Sequence, residues 1–95
     1  MDYILFIHNN ADHPATESQW EAFFSAANKS GIFSGGSEIG KSVQFGAKST
    51  TPAISSVVGY MRFQTDDISR LHKLLELHPI YLQGGTLELC ETPKT

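Results

Sequence analysis

Residues 3–8 read Tyr-Ile-Leu-Phe-Ile-His, an extended run in which Tyr3, Leu5 and Ile7 face one way and Ile4, Phe6 and His8 the other. A strand that is apolar on both parities is buried on both faces, so it belongs at the centre of its sheet and both sides need cover. Only two later segments have the spacing of a covering helix. In the first, Trp20, Phe23, Phe24 and Ala27 fall at i, i+3, i+4 and i+7, a stripe expected in the core. Thr16 is placed to cap that helix and Ser30-Gly31 to stop it. In the second, Ile68, Leu71, Leu74 and Leu75 repeat the spacing, with Thr65 or Asp66 as the cap and Pro79 as the end.

The remaining apolar segments have strand character. Residues 57–64 place Val57, Gly59, Met61 and Phe63 on one face and Val58, Tyr60 and Arg62 on the other, and residues 86–91 alternate strictly. Ile32, Phe33 and Ser34 run into the double glycine Gly35-Gly36. Residues 42–45 are expected to return antiparallel to a neighbour, and residues 48–56 to form an exposed loop. The order strand, helix, strand, strand, helix, strand predicts an α+β fold of the ferredoxin-like kind, a βαββαβ sandwich with two helices on one face of an antiparallel sheet, spanning residues 1–95 as a single domain. Two helices cover one face only. The apolar residues on the other face then call for a second sheet, which an identical subunit supplies most economically, so a homodimer packed sheet to sheet is expected.

Residues 35–42 (Gly-Gly-Ser-Glu-Ile-Gly-Lys-Ser) satisfy the phosphate-loop pattern G-x-x-x-x-G-K-[ST] letter for letter. The pattern functions only when a helix follows the Lys-Ser pair and aims its backbone N–H groups at phosphate. Here alternating residues and then turn residues follow, so the segment reads as glycine-kinked strand rather than a nucleotide site.

Seven basic against ten acidic side chains give a net charge of −3 with no basic cluster, which argues against a nucleic-acid or anionic-membrane surface. No apolar run approaches the roughly 18 residues of a membrane span, and no basic leader precedes the first strand. The lone Cys90 excludes an internal disulfide and fits a reducing, cytoplasmic setting. The histidines at positions 8, 13, 72 and 78 lack metal-ligand spacing, so neither a metal nor another cofactor is expected.

Two histidines stand out. His78 lies where the second helix ends, either as a cap for the last carbonyls or as a general base or substrate anchor at a pocket mouth. His8 terminates the Ile4-Phe6 row, where an apolar core opens; it is either a satisfied edge side chain or a proton-transfer group. If Tyr60 and Arg62 share its face, a small anionic ligand would meet a hydroxyl, a cation and an imidazole together. Glu38 faces either such a pocket or solvent.

The opening Tyr-x-x-x-Phe strand, the Trp20 helix ending at Ser30-Gly31, the Gly35-Gly36-x-Glu38 turn, Gly59-Tyr60, His78-Pro79 and the finish Gly84-Gly85-x-x-Glu88-Leu-x-Glu91 together resemble the YCII-related family. The resemblance implies a ferredoxin-like subunit in a dimeric α/β barrel, with a pocket between sheet and helices as the suggested active site. Of the family's site positions it carries over His78, before Pro79. Relatives in that superfamily act on aromatic-ring breakdown products by dehydrochlorination or lactone isomerisation, without metal or organic cofactor. The function expected is therefore small-molecule binding by a homodimer, with lyase- or isomerase-type proton transfer on a small polar or aromatic acid by His8 and His78. Alternatives are a ligand-sensing module without catalysis and a purely structural dimer.

Overall fold

The computed structural model describes residues 1–50 and 56–94. Its elements run β1 (Asp2–His8), α1 (Glu17–Ser30), β2 (Phe33–Glu38), β3 (Val57–Gln64), α2 (Ile68–Leu75), α3 (Pro79–Leu82) and β4 (Leu87–Glu91). The four strands form one antiparallel sheet in the order β2-β3-β1-β4. This is the ferredoxin-like βαββαβ arrangement, with β1 central as its two apolar parities require.

Register divides the sheet into two faces. Leu5 pairs with Met61 and Leu89, and Ile7 with Gly59 and Leu87. These side chains join Phe63 and the helical residues Phe23, Ala27, Leu71, Leu74 and Leu75 in one core. Ile4 pairs with Arg62 and Cys90, and Phe6 with Tyr60 and Glu88, so those side chains share the opposite face. There Ile4, Phe6, Tyr60 and Cys90 are half-buried while Arg62 and Glu88 are exposed.

The first helix begins as expected. Thr16 accepts from the Gln19 N–H, the Gln19 side chain accepts in return from the Thr16 N–H, and Gly31 closes the helix at φ 73°. Its stripe, however, divides. Phe23 and Ala27 are buried, whereas Trp20 is half-buried and Phe24 is 38% exposed, because they border a cavity instead of filling the core.

The second helical region departs from the expectation in two ways. Its N-cap is Asp67, whose carboxylate accepts from the N–H groups of both Ser69 and Arg70, while Thr65 accepts from the Asp67 N–H just outside. It ends at Leu75, not at Pro79. Pro79 instead opens α3 at the first helical position, where its missing N–H costs nothing.

Residues 42–45 form no strand. Phe33–Glu38 fills the one free edge of β3 as a single strand, bulged at Gly35, and residues 39–50 continue without regular structure. No helix follows Lys41-Ser42, so the phosphate-loop pattern lacks the N-terminus it needs. Of the loop expected at 48–56, residues 48–50 and 56 are exposed, and 51–55 lie outside the described residues. Among the described residues, no helix is long and apolar enough to cross a membrane.

Candidate functional site

Between the helix side of the sheet and α1 lies a cavity of about 840 Å³. Its aromatic wall is Trp20 and Phe24 of α1 with Phe33 of β2. The Trp20 and Phe24 rings stack with centroids 5.7 Å apart at 23°, and Phe24 meets Phe33 at 6.1 Å. Glycines clear space opposite that wall. Gly36 has no alternative there, because a Cβ at this position would come 2.2 Å from the Tyr60 carbonyl oxygen. β2 therefore lies against β3 without an intervening side chain, and Gly59, Ile7 and Met61 complete that side. The result is a slot with aromatic and aliphatic walls whose shape suits a planar ring.

Polar groups are few. Glu38 pairs in register with Gly59, which directs it to the helix side, and it lines the cavity while remaining exposed to solvent. Behind the wall sits His78, fully buried at 0% exposure. It is not at the end of α2, as the sequence suggested, but at the N-cap of α3, where Nδ1 accepts from the Ile80 N–H at 3.1 Å. Its ring meets Trp20 edge-on at 5.1 Å and Phe23 at 4.7 Å. Desolvation by this apolar packing lowers its pKa from 6.5 to about 4. The imidazole is therefore neutral at pH 7. With Nδ1 acting as acceptor, the proton resides on Nε2, and Nε2 has no hydrogen-bond partner among the described residues. An unpaired buried N–H costs about 1–3 kcal/mol. Trp20 and Ile80, which adjoin His78, both line the cavity, so this free donor stands one layer behind the wall.

The other predicted residues gather elsewhere. Tyr60 and Arg62 share the sheet face of Ile4 and Phe6, and Tyr60 borders the cavity through the strand it shares with Gly59 and Met61. His8 reaches Glu88, the neighbour of Phe6 on that same face, with Nε2 2.8 Å from the carboxylate Oε1, while Nδ1 lies 2.8 Å from Ser56 Oγ. His8, Tyr60 and Arg62 thus do share a face, and His78 lies behind the other. The anion anchor expected of Arg62 is not available to the cavity, whose ionisable side chain among the described lining residues nearest the mouth is the acid Glu38. Among the described residues no cluster of three or more His, Cys, Asp or Glu side chains could hold a metal ion. Sequence reasoning missed Ser56 and Glu88, which only the β1–β4 register and the end of the preceding loop bring to His8.

Among solved structures, the chain is similar to 5-chloro-2-hydroxyhydroquinone dehydrochlorinase from Burkholderia phenoliruptrix in complex with 2,5-dihydroxybenzoquinone. The match has a TM-score of 0.54 at 12% identity and covers 100% of this chain and 96% of that one. At that identity the likeness establishes the shared fold. No family model matches the sequence and no curated protein matches it, so the YCII-related resemblance rests on its short motifs.

Proposed function

We propose that this chain is a YCII-like protein that binds a small planar aromatic molecule in the helix-side cavity, acts as a homodimer joined through the open sheet face, and catalyses cofactor-independent proton transfer of the lyase or isomerase type. The observation that carries the reading is the stacked aromatic wall facing a glycine-cleared side, backed by the unpaired Nε2–H of His78. A ring bearing hydroxyl or carbonyl groups fits this setting. The aromatic wall supplies the stacking surface and Glu38 accepts a proton or hydrogen bond at the mouth, while the neutral His78 packs behind the wall against Trp20 and caps the turn that carries Ile80. An acid rather than a cation among the cavity's side chains favours a phenol or quinone over the anionic ligand expected from sequence. The solved neighbour was complexed with a dihydroxybenzoquinone, which supports the same ligand class without assigning it here.

Ile4 and Phe6, apolar and left uncovered by either helix, support the dimer. Tyr60 and Arg62 then belong to the subunit interface, and His8 to the end of the sheet. A ligand-sensing role without turnover is the second reading. It is favoured by the placement of His78 behind the wall, which leaves exposed Glu38 as the ionisable side chain nearest a ligand.

Native mass spectrometry with 2,5-dihydroxybenzoquinone as the probe tests both parts. The expected spectrum is a dimer that gains one displaceable adduct per subunit. A monomer at micromolar concentration contradicts the assembly, and a dimer without adduct contradicts the ligand class.

A further inference from the structure

Ser56, His8 and Glu88 form a relay outside the cavity just described. The partners of His8 decide where its proton lies. A carboxylate only accepts, so Nε2 carries the hydrogen toward Glu88; the neutral ring then has its lone pair on Nδ1, and the Ser56 hydroxyl donates into it. Both contacts measure 2.8 Å. Hydroxyl, base and orienting acid thus stand in the order that activates a serine nucleophile.

The backbone fixes this order. His8 N–H donates to the Thr86 carbonyl at 3.1 Å, and Asn9 N–H donates to the Ser56 carbonyl at 2.7 Å, so the strand end is held on both sides. The β1–β3 register shifts between Ile7 and His8, a bulge of the sort that re-aims a side chain at a strand end. Beside His8 is a second hollow of about 290 Å³, with Ala11, Pro14, Ala15 and Val58 on its apolar side and Asn9, Asp12 and His13 on its polar side. Ser56 is exposed, and the His8 side chain retains 17% of its surface. A short acyl chain has both a way in and an apolar place to rest.

We propose that Ser56 is a nucleophile toward small activated acyl compounds, with His8 as its general base and Glu88 as a positioning residue. Ser56 Oγ bonds to the acyl carbon as its proton passes to His8 Nδ1. The tetrahedral adduct collapses, the bond to the leaving alkoxide breaks, and that oxygen takes the proton from His8. Water then gives a proton to Nδ1 and adds to the acyl-serine. Ser56 Oγ departs and recovers the proton, leaving acid and alcohol as the net products of ester and water. This activity uses none of the side chains assigned to ligand binding in the helix-side cavity, although Val58 and Ile80 border both hollows, and it needs no cofactor.

The test uses the full chain with p-nitrophenyl acetate, following nitrophenolate release and locating acetyl groups by peptide mass spectrometry. The wild type is expected to acetylate at Ser56 and turn over. Ser56→Ala, which removes one exposed hydroxyl, and His8→Gln should each lose about 100-fold or more, within the usual range for general-base catalysis. Glu88→Gln should lose less and shift the pH profile, which a merely structural contact would not do. Equal rates for wild type and Ser56→Ala, or acetyl groups found only on other residues, would overturn the proposal.

Discussion

His78 and His8 are the same side chain in opposite circumstances. His78 is sealed on the helix side with one nitrogen satisfied and the other bare, and burial alone keeps it neutral. His8 sits at the end of the sheet with both nitrogens engaged. One imidazole has spare bonding capacity because packing denies it a partner; the other is oriented because two partners fix its tautomer. The difference shows that the helix side is specialised by exclusion of water, whereas the sheet end is specialised by hydrogen bonding.

The sharpest way to break that division is to substitute adjacent residues of β3 that point to opposite faces. Phe63 is 1% exposed, and Phe63→Ala should cost about 3–5 kcal/mol in urea unfolding. Arg62→Ala, next in the chain but an exposed side chain on the open face, leaves the core packing intact and should cost about 1 kcal/mol or less, its loss coming from the subunit contact alone. Equal losses would mean that the two faces are not divided as described.

A smaller effect follows from the acidity of His78. Its folded-state pKa lies below the unfolded value of 6.5, at about 4, so between these pH values the unfolded chain binds a proton that the folded chain refuses. The contribution is complete above pH 6.5 and is lost as pH falls toward 4, by roughly 3 kcal/mol, since each tenfold difference in proton affinity between the two states is worth about 1.4 kcal/mol. His78→Asn keeps a side chain able to cap α3 but has no proton to refuse. Comparing urea unfolding of the two proteins between pH 7 and 4 should show the wild type losing more stability by this amount. Parallel curves would mean that water reaches His78.

Much of this architecture was legible in the sequence. The two-sided apolar run at residues 3–8 put β1 at the centre, and Thr16 and Gly31 marked α1, because capping and periodicity act through near neighbours. The failures came where near neighbours were ambiguous. Thr65, Asp66 and Asp67 are all competent caps, and only the folded chain selects Asp67. Four alternating residues at 42–45 look like a strand but pair with no neighbour among the described residues, and alternation over so short a run does not by itself specify a partner. His78-Pro79 serves equally well as the end of one helix or the start of another, and the four residues of α3 are too short to show a period. The site was less legible than the fold. Parity grouped Tyr60 with Arg62, yet the His8–Glu88 contact depended on pairing between strands 80 residues apart, and the cavity arose from the absence of side chains at Gly36 and Gly59.

The central claim is that ligand enters on the helix side of the sheet. The most direct test is a titration of isotope-labelled protein with 2,5-dihydroxybenzoquinone, followed by two-dimensional NMR. The account predicts saturable shifts at the indole N–H of Trp20 and the amide of Gly36, with those of Arg62 and Glu88 unmoved. Shifts confined to Arg62 and Glu88, or none at any of the four, would contradict it.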